Sequence, residues 1–169
     1  SNQRKFDEFL YLFALHGYKL EGSYIDLKEI EADPITVVAH KASQVEEGVI
    51  IEDTSLEIED ALVGINIRWL LDHLTKYIGR KAVWRTLLAY RHKNKILIYE
   101  GKVSGRIVNK KGEGGFGFDS VFLPDGAVET LAQSKPDMFN ARAKAVEALI
   151  KKTLLTEHDV IENWEGLWQ

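Results

Sequence analysis

The stretch that decides the fold is Gly112-Glu113-Gly114-Gly115-Phe116-Gly117-Phe118-Asp119-Ser120-Val121-Phe122-Leu123-Pro124. Its first six residues satisfy the glycine pattern of a dinucleotide-binding turn, which requires a strand before it and a helix after it. Here the continuation Ser120–Leu123 contains Val121 and Phe122 and stops at Pro124, so it reads as a strand. That excludes a Rossmann unit. What remains is a glycine-rich loop carrying two aromatic rings, Phe116 and Phe118. Either ring could stack on a base, although packing in the core is the ordinary fate of such side chains.

Upstream of this loop, residues 83–108 are β-rich, and the polar run His92-Lys93-Asn94-Lys95 turns one long strand into the next. Downstream, Ala141–Lys152 has helical character. Nearer the start, Phe6, Phe9, Leu10 and Phe13 recur at helical spacing, with Gly17 as a stop and Ser1 or Asn2 as the cap. Tyr18–Ile25 reads as a strand. Pro34 suits the first turn of a second helix whose buried stripe is Ile35, Val38, Ala42 and Val45. Val49-Ile50-Ile51 is a short buried strand ending in Glu52-Asp53, and Trp69, Leu70, His73, Leu74 and Tyr77 mark another helix. This order predicts a single α/β domain over residues 1–169, with a substantially antiparallel sheet.

The bulk properties narrow the function. A chain of 169 residues, 45% hydrophobic and 28% charged, can bury its own core. No apolar run approaches the ~20 residues that span a bilayer, so no membrane partner is expected. With no cysteine, disulfides and thiolate metal sites are excluded, which fits a reducing cytoplasm. A net charge of −4 argues against general attraction to nucleic acid. The start at Ser1-Asn2, without an apolar strand before the first helix, leads us to expect a strand preceding residue 1.

Several constellations could carry chemistry. Ser1-Asn2-Gln3-Arg4-Lys5 opens a helix, where free N–H groups, the helix dipole and Lys5 favour an anion; an ordinary capped helix is the simpler reading. The acidic run Asp26–Asp33 and the pair Glu52-Asp53 supply the few carboxylate oxygens that magnesium takes alongside water and phosphate. A solvated loop is the better account of Glu31 and Asp33, whereas a charge at the end of a buried strand, as at Asp53, demands a partner. Lys41 and Arg142, each taken alone, read as solvated helix charges. The five histidines show no metal spacing, and Ser55 has no nucleophile-elbow context.

Taken in order, these pieces resemble the inosine triphosphate pyrophosphatase family, over essentially the whole chain. SNQRKFDEF is similar to the family's opening motif, with Ser1, Asn2, Lys5 and Glu8 in its places. IIEDTSLEI resembles its Asp-Thr/Ser segment, VSGRIV its central strand, and GGFGFDSVFLPDG, followed by Thr130 and Ala132, is the most specific match. The resemblance implies a domain of elongated α/β form, with a central mixed, largely antiparallel sheet flanked by helices and a cleft between two lobes. It implies magnesium as cofactor, a nucleoside triphosphate as substrate, and a homodimer. Ser1, Asn2 and Lys5 would hold the triphosphate, with Lys41 reaching phosphate from its helix. Glu29 and Asp53 would bind the metal, and Asp53 would also activate water. Phe116 would stack on the base, Phe118 and Asp119 would line its pocket, and Arg142 would close over the purine edge.

Two departures fall in base recognition. Asn140-Ala141-Arg142 stands where the family usually has Ser-His-Arg, and the family's preceding lysine is found only as Lys135, in a shifted register. A polar pocket that loses a donor can lose discrimination between related substrates. The expected function is hydrolysis of ITP, dITP or XTP to the monophosphate and pyrophosphate. The same reaction on another base, or a nucleotide-binding module without turnover, are the competing readings.

Overall fold

A computed structural model describes residues 2–23, 25–61 and 66–169, with the side chain of Asn2 outside that description. The architecture is built on the hairpin β2 (Lys81–His92) and β3 (Lys95–Ile107), paired antiparallel from His92↔Lys95 to Lys81↔Arg106. Lys93 takes a positive φ of 56° in the tight turn between them. β1 (Ile51–Ile58) pairs with β2, while β4 (Phe122–Pro124) and β5 (Thr156–Asp159) pair with β3. Every pairing among the described residues is antiparallel, so the largely antiparallel sheet that the resemblance implied is present, with no parallel pair among those residues.

The hairpin strands carry apolar residues on both faces, because helices cover both. Successive side chains of a strand point to opposite sides. Leu88 and Tyr99 accordingly pack with Phe9, Leu12 and Phe13 of α1 (Asn2–Leu15) and with Ala145 and Val146 of α5 (Ala141–Ile150). Their neighbours Leu87 and Ile98 pack on Val38, Ala39 and Ala42 of α2 (Pro34–Ser43). Asp33 caps α2 by accepting from the Thr36 N–H, with Pro34 in the first turn. A third cluster, around Trp84, Val103, Ile107 and Phe122, closes the other end of the sheet. Gly101 lets α5 approach β3 closely: a Cβ there would overlap the Ala141 carbonyl and the Ala145 amide.

Several sequence expectations need correction. Tyr18–Ile25 forms no strand among its described residues; Leu20 packs on the α1 cluster, but no neighbouring strand offers a ladder. Glu52 and Asp53 open β1 rather than ending a strand, opposite Leu88 and Leu87. The helix over 69–77 divides into α3 (Ile67–Asp72) and α4 (Leu74–Tyr77), where the His73 ring bonds the Trp69 carbonyl at 2.8 Å. Ser120–Leu123 is not all strand. A 3-10 turn at Asp119–Val121 precedes β4, and the Asp119 carboxylate, bonded to the Phe116 N–H, belongs to that turn. Val45 is buried but lies beyond the end of α2. No described helix is long and apolar enough to cross a membrane.

Candidate active site

A cleft of about 830 Å³ opens beside the first half of β1. Lys5, Glu29, Asp53, Phe116, Asp119 and Arg142 all line it, although they come from five separate parts of the chain. Ser1 and the side chain of Asn2 lie outside the described residues. Phe118 touches the cleft wall, but it is 5% exposed and packs edge-on against Trp84 and Phe122, so its main place is the core.

At one end the cleft is ionic. Lys41 is not a solvated helix charge: its side chain is 12% exposed, and its ammonium contacts Glu29 and lies 3.4 Å from Asp53. Burial opposes the Lys41 charge most strongly, but the two carboxylates outweigh it and hold its pKa above the ordinary lysine value. Asp53 is pushed above the ordinary aspartate value, chiefly by burial, with Lys41 opposing and Glu52 and Glu29 adding repulsion. Lys5 pairs with Glu52 at 3.4 Å, and Glu52 also accepts from the Thr54 hydroxyl at 2.5 Å.

The donors here suit a hard divalent cation. Among the described residues no three acidic or histidine side chains close on one point. Glu29 and Asp53 instead converge on one ammonium while Asp53 is crowded by further negative charge, an open, oxygen-only arrangement. Magnesium binds in this manner, through one or two carboxylates with water and phosphate completing its shell.

The other end is aromatic and cationic. Gly115 sits at a φ of 70°, and the Asp119 carboxylate fills the space its Cβ would need. Asp119 accepts from the Phe116 N–H at 2.9 Å and pairs with Lys135 at 2.7 Å. The Lys135 ammonium lies 4.7 Å from the centre of the Phe116 ring, and the Arg142 guanidinium 4.9 Å. Both also stand over Trp84, at 5.7 and 5.1 Å. Lys135, despite its shifted position in the sequence, therefore reaches the same ring as Arg142.

Arg142 is 3% exposed and bonds to Glu8 at 3.3 Å, while its Nε is buried without a partner among the described residues. Asn140 caps α5 by accepting from the Arg142 and Ala143 N–H groups, and its amide donates to Glu8 at 2.8 Å. It thus supports Arg142 from below and does not line the cleft. Sequence reading placed Glu8 only within a motif; its spacing from Lys5 on one helical face was the available signal. Trp84 gave none, since an apolar position in a strand is ordinarily core. Gln169 also lines the cleft, which nothing in the sequence announced.

The sequence model of the Ham1 family matches residues 1–152. A dITP/XTP pyrophosphatase of Hyperthermus butylicus is 30% identical over 172 residues, covering 89% of this chain and 90% of that protein. An inosine triphosphate pyrophosphatase of Yarrowia lipolytica is 29% identical, covering 92% and 93%. The crystal structure of a nucleoside-triphosphatase / dITP/XTP pyrophosphatase from Mycobacterium abscessus superposes with a TM-score of 0.56 at 19% identity, over 88% of this chain and 92% of that one, and shares the fold. Because the matched span runs from α1 through Arg142 to the end of α5 and takes in the whole cleft lining except Gln169, the chain belongs to the Ham1 family.

Proposed function

We propose that the protein hydrolyses a non-standard purine nucleoside triphosphate, of the ITP, dITP or XTP class, to the monophosphate and pyrophosphate. One observation carries this reading. A single cleft joins a carboxylate–ammonium cluster at Glu29, Lys41 and Asp53 to an aromatic ring flanked by Lys135 and Arg142. The first end suits a polyphosphate with its cation, the second a planar, acceptor-rich base. Names carried by relatives that cover most of the chain point the same way.

Glu29 and Asp53 would hold magnesium, which when bound neutralises phosphate charge and orients the phosphates. Lys5 and Lys41 face the tail, with Ser1 and Asn2 assigned to it by the motif. Asp53 is the base: a carboxylate made more basic by burial accepts a proton from water more readily. Phe116 stacks on the base, Asp119 fixes the loop that presents it, and Arg142 and Lys135 donate to ring oxygens. Asn140 acts through Arg142. Ala141, fully buried at the start of α5, cannot supply the donor expected of a histidine there.

We read the protein as a cytoplasmic homodimer without a nucleic-acid or membrane partner. Its lack of cysteine and its net charge of −4 support the compartment and the absence of nucleic acid. Exposed Leu15 and Met138, which line one groove, support self-association.

The test is pyrophosphate release across ITP, dITP, XTP, GTP, ATP and modified pyrimidine triphosphates, with magnesium and after chelation. Magnesium-dependent turnover concentrated on ITP and XTP is the expected result. Turnover on another base would keep the chemistry and move the specificity. Binding without any turnover would turn the reading to a sensor module.

A further inference from the structure

Among the described residues, the segment that carries Glu29 has no strand of its own to hold it. Its backbone is secured instead by the last residues of the chain. The Gln169 N–H donates to the Glu29 carbonyl at 3.0 Å, the Glu31 N–H donates to the Leu167 carbonyl at 2.9 Å, and the Gln169 side-chain amide donates to the Ile30 carbonyl at 3.1 Å. Ile30, fully buried, pairs antiparallel with Trp168.

This tail is itself anchored to α2. The Ile161 N–H donates to the Ser43 hydroxyl at 2.9 Å. The His40 ring meets Trp168 edge-on at 5.4 Å and Trp164 at 6.4 Å. Trp164 donates from its indole N–H to the Leu167 carbonyl at 2.9 Å, which bends the tail back on itself. His40 is the neighbour of Lys41, whose ammonium contacts the Glu29 carboxylate. Glu29 is therefore fixed twice from one helix: its side chain through Lys41, its backbone through the tail. The tail lies beyond the residues matched by the family model, which end at 152.

We infer that residues 160–169 form a strap that positions Glu29 for divalent-metal binding, with Trp168 and Gln169 as its positioning residues. The inference rests on the proposed metal role of Glu29. Removing a group that orients a metal ligand typically costs about 10–100-fold in metal affinity. The strap adds no fully buried member to the three core clusters, whose last such residue is Val146, and only Val160 and Ile161 at its start pack on the α2 cluster; losing the contacts of Trp168 and Gln169 should therefore loosen the Glu29 segment while leaving the domain folded.

The experiment uses the full chain, with manganese as a spectroscopic probe for the metal. Hydrogen exchange of the Glu31 amide is followed in metal-free protein, and manganese affinity is measured by electron paramagnetic resonance. Trp168→Ala and Gln169→Pro, which removes the N–H donated to Glu29, should both accelerate exchange at Glu31. Each should weaken manganese binding by about tenfold. Trp168→Phe, which keeps an aromatic edge for His40, should restore both. Unchanged exchange in Trp168→Ala and Gln169→Pro would overturn the strap. Faster exchange with unchanged manganese affinity would overturn its role in metal binding, and Glu29→Gln is the control that separates the two levels. If Glu29→Gln weakens manganese while the strap variants do not, the strap inference fails and the site reading stands. If Glu29→Gln leaves manganese affinity untouched, the metal role of Glu29 fails and the strap inference falls with it.

Discussion

The Lys41 ammonium lies 3.4 Å from Asp53 and contacts Glu29 as well, so one buried cation ties the α2 helix to the two carboxylates assigned to metal. Burial opposes the charge of both groups: at Lys41 the two carboxylates outweigh it, whereas at Asp53 it outweighs the pull of Lys41.

For Asp53, burial raises the pKa, so across the window between the ordinary aspartate value and the raised one the folded chain binds more protons than the unfolded chain. Stability then falls as pH rises through that window, and the cost persists above it. Asp53→Asn should therefore melt higher than the wild type at neutral pH, and the gap should close in acid. The same substitution, like Asp53→Ala, should leave the fold intact and cut turnover by about 10²–10⁴-fold. Thermal melts across pH and pyrophosphate release check both halves; wild-type turnover in either variant would remove Asp53 from the reaction.

Lys41 has the opposite sign. Its raised pKa contributes stability that is fully present below the ordinary lysine value and lost as pH rises through the raised value. Lys41→Met should lower stability at neutral pH by about 1 kcal/mol, because Glu29 is partly exposed and screens its share. Denaturant unfolding at neutral and strongly alkaline pH measures this. A deficit that does not shrink in alkali would mean that Lys41 acts through packing rather than charge.

Removing the Phe116 ring strips the base pocket of its stacking face while leaving Lys135 paired with Asp119. Stacking of a base on an aromatic ring contributes about 1–3 kcal/mol, so Phe116→Ala should raise KM about tenfold with little change in kcat. An unchanged KM across all purine substrates would place the base elsewhere.

Glu8 is the partner that lets Arg142 be buried with its charge. Glu8→Ala leaves that guanidinium uncompensated, and breaking a buried pair costs about 3–5 kcal/mol. The expected outcome is a melting temperature lowered by many degrees, with Asn140 also losing the acceptor for its amide. A melting temperature within a degree of wild type would show that Arg142 finds another partner.

The long hairpin was legible because its residue types and polar turn are local signals, and β2 and β3 fall where that pattern put them. The α2 start was legible for the same reason, through Pro34, whereas its cap Asp33 read only as part of an acidic run. Tyr18–Ile25 was misread because strand character is realised only beside a partner strand, and sequence does not show whether one is near. Lys41 and Arg142 were each read, in isolation, as solvated, since periodicity gives the face of a helix but not what covers it.

The amino-acid sequence by itself determined the helices, the hairpin, the glycine loop and the motif order that ties this chain to its family. Those properties depend on near neighbours in the chain. Only the tertiary structure decided that Lys135 shares a ring with Arg142, that Glu8 and Asn140 hold Arg142 in place, and that the last residues of the chain fasten the segment bearing Glu29. The physical reason is distance along the chain: these contacts join residues far apart in sequence, and their energies depend on burial and geometry that exist only once the sheet and its helices have packed.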